Sequence, residues 1–122
     1  MTVRGWFDLL DAQARIRRRW SAVLSERYDV VLMPIYSTPA FPNDDLDIIT
    51  RVLEVDGEAT PNVQQLTWAS LPILTGMPAV AFPAGTSADG LPIGLQLIGR
   101  HFTERDLLQL ATFVAEPAAL LG

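Results

Sequence analysis

An α/β fold with a mixed sheet is the architecture this sequence predicts, and three observations carry the expectation. Apolar residues recur at helical spacing near both ends of the chain. Between those ends lie short aliphatic runs bounded by Pro, Gly and Asp, the pattern of strands and turns. The composition, 49% apolar and 19% charged over 122 residues, supplies a core and fits one domain, so residues 1–122 are read as a single unit. The resulting order of helix, strand, loop, helix, strand, strand, helix is an α/β pattern.

The first helix rests on Trp6, Leu9, Leu10, Ile16, Trp20, Val23 and Leu24, with arginines and Asp11 largely between them. Asp29-Val30-Val31-Leu32-Met33 follows as a buried strand, stopped by Pro34. Pro39, Pro42 and Asn43-Asp44-Asp45 mark an irregular loop. Arg51 to Val55 alternates weakly before Asp56-Gly57, which predicts a small hairpin. A second helix is expected over Val63 to Ser70, because Pro72 disfavours helix at Leu71. Ala79–Phe82 and Ile93–Ile98 read as strands joined by the turn residues Gly85 to Gly90. The last helix starts near Thr103, whose hydroxyl can cap it. Leu107, Leu108, Ala111 and Val114 form its apolar stripe, and Pro117 is expected to follow its end.

Composition excludes several chemistries. The net charge of −5 argues against a nucleic-acid partner. All nine basic residues are arginine, which removes Schiff-base chemistry, a P-loop lysine and a lysine base. Without cysteine there is no thiolate nucleophile and no thiolate metal site, and the composition fits a reducing, cytoplasmic setting. Met1 is followed by a helical pattern and not by an apolar signal core, so no secretion signal is expected. The uncharged run Ala59 to Ala88 fails as a membrane span, because Pro61, Pro72, Pro78 and Pro83 interrupt any stretch of about 20 apolar residues.

Individual residues name no catalytic centre. Gly85, Gly90, Gly94 and Gly99 match neither G-x-G-x-x-G nor a P-loop and read as turn and close-packing positions. Asp44, Asp45 and Asp47 lack the spacing of a calcium loop and read as a solvated loop, so neither metal nor cofactor is expected. His101 is the only histidine, a loop residue with no serine and carboxylate ordered locally around it. Arg15, Arg17, Arg18 and Arg19 read as a solvated helix face, and no serine sits in G-x-S-x-G.

One stretch is more specific. Gly76-Met77-Pro78-Ala79-Val80-Ala81-Phe82-Pro83-Ala84-Gly85, then Asp89-Gly90-Leu91-Pro92-Ile93-Gly94-Leu95-Gln96-Leu97-Ile98-Gly99, resembles the C-terminal part of amidase-signature enzymes. That family reads G-x-P-A-x-x-x-P-x-G, a turn, then G-L-P-x-G-x-Q-x-[IV]-G. Tyr28 to Pro34 resembles its D-x-x-[LV]-x-P strand, and Glu104 to Leu108 with Ala111 its closing helix. The resemblance implies the C-terminal part of an α/β/α sandwich with a mixed sheet, forming one side of a substrate funnel. The family cleaves amides with a Ser–cis-Ser–Lys triad held in its N-terminal half. None of that triad can be carried over, since the chain has no lysine and no adjacent serine pair.

The resemblance therefore implies a C-terminal segment of an amide hydrolase, inactive alone, for which a small amide is the substrate once the site is completed. Thr75 and Gln96 are its candidate substrate-binding residues; Gln96 in a buried strand can also satisfy several backbone groups at once. Ile73 stands where many members have Asn, Leu66 where the amidotransferase branch has Asp, and Trp68 resembles broad bacterial amidases. Those departures point away from tRNA-linked amidotransfer. The alternatives are an interaction module that assembles with a separate N-terminal half or another partner, and an independent hydrolase using His101 with a carboxylate; the partners expected are an N-terminal amidase half or a second copy of the chain.

Overall fold

The computed structural model describes residues 1–119. Helix α1 spans Val3–Glu26 and is capped by Thr2, whose hydroxyl accepts from the Gly5 N–H at 3.1 Å. Strand β1 covers Val31–Pro34, and the expected hairpin forms from β2 (Val52–Val55) and β3 (Glu58–Pro61). Its turn residues Asp56 and Gly57 both take positive φ, 52° and 81°, as a two-residue hairpin turn requires. Helix α2 (Asn62–Thr75), strands β4 (Ala79–Thr86) and β5 (Pro92–Ile98), and helix α3 (Glu104–Ala119) complete the order.

The α/β reading holds, and the layers are those of a sandwich. The three main strands run in the order β1-β5-β4, with Leu97 of β5 opposite Leu32 on one side and Val80 on the other. Side chains of β5 alternate between the faces. Leu95 and Leu97 pack with Phe82, Leu107 and Ala111 under α3, while Ile98 packs with Leu24, Met77, Trp20 and Leu71 under α1 and α2. The expected mixture of strand directions does not extend to neighbouring pairs, which are all antiparallel among the described residues. A short turn joins β4 to β5, and only a crossover of a dozen or more residues would bring them parallel.

Helix α2 differs from expectation in an informative way. It runs through the buried Pro72 to Thr75 instead of stopping at Ser70. A proline in a helix removes the N–H that would bond the carbonyl four residues back, here that of Trp68. Gln96 supplies the missing donor from the sheet, its Nε2 lying 3.1 Å from the Trp68 carbonyl oxygen. At the other end of the chain α3 likewise continues past Pro117 to Ala119. A proline there forfeits one helical bond close to the helix end, where the last carbonyls lack helical partners anyway. Thr103, expected as a cap, donates its hydroxyl proton to the Arg100 carbonyl at 2.8 Å and closes the turn into α3.

The C-terminus of α2 is held by α1. Gln13 donates to the Leu74 carbonyl at 3.0 Å and Arg17 Nε to the Thr75 carbonyl at 2.8 Å, so Arg17 is a capping cation and not merely part of a solvated face. Gly76 terminates the helix at φ 65°, and a Cβ built there would lie 2.3 Å from Arg17 Nη2. Gly76→Ala is therefore expected to lose about 1–2 kcal/mol in urea unfolding, the usual cost of a left-handed non-glycine residue. Unchanged stability would show that neither the backbone conformation nor the Arg17 contact matters. Among the described residues no helix is long and apolar enough to cross a membrane.

Candidate functional site

Residues 34–41 leave the end of β1 and cross the first turns of α2, where buried amides grip them. Asn62 and Gln65, one helical turn apart, are 2% and 3% exposed. Asn62 Oδ1 accepts from the Tyr36 hydroxyl, and its Nδ2 donates to the Ile48 carbonyl at 3.3 Å. Gln65 Oε1 accepts from the Ser37 N–H at 3.1 Å, and Trp68 Nε1 donates to Ser37 Oγ at 2.9 Å. Gln96 Nε2 holds the near end of the segment through the Pro34 carbonyl at 2.9 Å. One face of α2 and one side chain of β5 thus fix where this segment runs.

The clamped segment forms a groove of about 490 Å³ with the start of β5, lined by residues including Ile35, Tyr36, Thr38, Phe41, Ile93 and Gly94. Gly94 leaves room where Ile35 crosses: a Cβ there would approach Ile35 Cδ1 to 3.0 Å, so the end of that side chain would have to shift slightly. Tyr36 stacks on Phe41 with ring centroids 6.2 Å apart, and the Arg51 guanidinium lies 5.3 Å from the Phe41 centroid. Arg51 is itself paired with Asp44. The Thr38 hydroxyl is buried beside the groove without a hydrogen-bond partner. The wall is aromatic and uncharged, anchored by Asn62 at Tyr36 and by Arg51 at Phe41.

Asp44 is therefore engaged in an ion pair, and Asp47 accepts from the Ile49 N–H at 2.7 Å. The Arg51 hydrogen bond holds the Asp44 carboxyl below the usual carboxylate range. The stabilisation this gives is present above the unfolded-state pKa and lost as pH falls through the lower folded value. A carboxyl NMR titration is expected to place the Asp44 midpoint below the ordinary aspartate value, and Arg51→Gln to return it upward. An unshifted midpoint in the native chain would contradict the pairing.

The two sequence-derived candidates have different hydrogen-bond partners, and neither lines the groove. Thr75 is 1% exposed, and its hydroxyl donates back to the Leu71 carbonyl at 3.0 Å, inside α2. Gln96 is 5% exposed and meets the groove only through Pro34. His101 lies elsewhere, in a cavity of about 400 Å³ with Ser21, Ser25, Arg100 and Thr103, and no carboxylate is among those lining residues. Sequence reasoning missed Tyr36, Ser37, Asn62 and Gln65. The available signal was polar residues at Asn62, Gln65 and Trp68, three apart, within an otherwise uncharged run. The arrangement can bind and orient a molecule; the groove holds no serine paired with a base, since Ser37 Oγ is engaged by Trp68.

Comparison with known proteins fits the fold. The amidase family model matches residues 6–108. A glutamyl-tRNA(Gln) amidotransferase subunit from Xanthobacter autotrophicus is 35% identical over 93% of the chain, and its counterpart from Bartonella bacilliformis is 40% identical over 75%. These relatives carry the amidotransferase name although Leu66 and Trp68 pointed away from that branch. The chain spans 22% of the length of the first and 17% of the second. A crystal structure of an amidase superposes over 97% of the chain and 26% of its own length, with a TM-score of 0.79 at 23% identity, a likeness of fold. The corresponding amidotransferase protein of Thermotoga maritima superposes over 88% of the chain and 22% of its own length, with a TM-score of 0.57 at 27% identity. With the family match covering most of its length, the chain belongs to the amidase family.

Proposed function

We propose that this chain supplies the C-terminal portion of an amide hydrolase acting on non-peptide carbon–nitrogen bonds, completing its fold and forming one side of the substrate funnel. The observation that carries the reading is the groove wall over residues 35–41, held by Asn62, Gln65, Trp68 and Gln96. Four buried or half-buried side chains converge on one short segment, the investment expected where a binding surface must keep its shape. Gln96 and Thr75 belong to the substrate side of this reading. Both Nε2 hydrogens of Gln96 are engaged by carbonyls, which leaves Oε1 to accept from an amide N–H. Thr75 acts through the end of α2.

In this reading the serine nucleophile and lysine base belong to the N-terminal portion of the family, which these 122 residues do not contain, so the segment alone is inactive. The amidotransferase relatives are themselves named as subunits, which supports assembly with another chain. The cysteine-free composition supports a cytoplasmic setting. A second reading, an interaction module that kept this scaffold to bind an N-terminal half, draws on the same exposed surfaces.

Ammonia release from simple aliphatic and aromatic amides tests the proposal. The purified chain is expected to show none, because enzymatic accelerations above ~10⁶ require the nucleophile and base it lacks. Turnover that survives purification and disappears in His101→Ala would replace this reading with an independent hydrolase.

A further inference from the structure

We propose that the cavity between α1 and the turn leading into α3 binds a small oxyanion. Of its lining residues, Ser21, Ser25, Arg100 and His101 carry hydrogen-bond donors, the Thr103 hydroxyl is already given to the Arg100 carbonyl, and none carries a negative charge. The cavity, about 400 Å³, is ample for a phosphate or a small organic acid. Nothing in the groove at residues 35–41 contributes to it.

The unexplained group here is the imidazole. His101 Nε2 is buried with no hydrogen-bond partner. An unsatisfied buried polar atom costs about 1–3 kcal/mol, and such atoms in native proteins call for a partner. With Nε2 unpaired, turning the ring toward the cavity breaks no bond at that nitrogen. An oxyanion accepting from it would remove the penalty.

Charge and geometry select the ligand class. Arg100 offers a planar fork of N–H donors that matches phosphate or carboxylate oxygens. Arg18 lies three and seven residues before Ser21 and Ser25, on the same face of α1. The net charge of −5 opposes anion binding, but distant charges are screened at physiological salt with a length of about 8 Å, and the lining itself holds Arg100 and no carboxylate. The two hydroxyls can then donate to the remaining oxygens.

His101 is the sole histidine, so chain labelled with ¹³C-histidine gives one imidazole signal to follow. Inorganic phosphate titrated at constant ionic strength is expected to shift that signal saturably. Arg100→Gln should weaken binding about tenfold or more, with Ser21→Ala giving a smaller loss and the distant Arg4→Gln none. Arg100 and Arg4 are both exposed, so neither substitution disturbs the core. Acetate run in parallel distinguishes a carboxylate site, which acetate saturates at least as well, from a phosphate site. A non-saturable drift with both anions, or affinity unchanged in Arg100→Gln, would overturn the proposal.

Discussion

Replacing Gln96 with leucine is expected to lower the unfolding free energy by about 2–4 kcal/mol, although the two side chains are similar in volume. The loss comes from two carbonyls, those of Pro34 and Trp68, that share the Gln96 Nε2 donor. Leucine leaves both without that partner in a site where Gln96 is only 5% exposed. The Trp68 carbonyl is the more vulnerable, because Pro72 has no N–H to offer it. A double substitution isolates that cause. In a Pro72→Ala background the alanine N–H can reach the Trp68 carbonyl, so the further loss on Gln96→Leu should shrink by about 1 kcal/mol. Urea unfolding of the four proteins at low concentration gives the coupling. Strict additivity would show that Gln96 does not compensate for the proline.

The isolated chain is also expected to self-associate or to melt at low temperature, binding a hydrophobic dye. Trp6, Phe7 and Phe113 are 51%, 61% and 72% exposed on the helices that cover the sheet. Strand β4 lies at the edge of the described sheet, and its eight residues carry no charge to discourage pairing with another strand. Large exposed apolar side chains of this kind are where a contact with another chain forms when they make up a patch. Sedimentation should therefore reveal oligomers as concentration rises. A compact monomer at high concentration, with a cooperative melt and no dye binding, would instead indicate a domain adapted to stand alone and would favour the interaction module.

Local signals in the sequence were enough for most elements. Asp56-Gly57 specified its hairpin, the proline-bounded aliphatic runs became strands, and the apolar stripe of Leu107 and Ala111 became the contact under α3. One misjudged point, the end of α2, depended on a donor far away in the chain. Pro72 reads locally as a stop, and only Gln96, delivered by β5, makes it tolerable. The same holds for the candidate site. The Ser37–Gln65 contact spans 28 residues and the Pro34–Gln96 contact 62, distances over which periodicity carries no information. Asn62 and Gln65 look like ordinary polar helix residues until the fold buries them against Tyr36 and Ser37. The motif around Gln96 carries a glycine at 94, the position on β5 that Ile35 packs against.

The function proposed above gives this chain a substrate wall and not the catalytic groups. Its most direct test is to titrate the chain into a fixed amount of a polypeptide carrying the complementary portion of an amidase-family enzyme, while following ammonia release from an aromatic amide. Neither component should turn over alone, and activity should rise to saturation at equal stoichiometry. That activity should disappear when the serine or lysine of the complementary chain is replaced, fall with Gln96→Ala or Thr75→Ala, and change least with His101→Ala. Turnover by this chain alone, or a mixture whose largest loss comes from His101→Ala, would contradict the account.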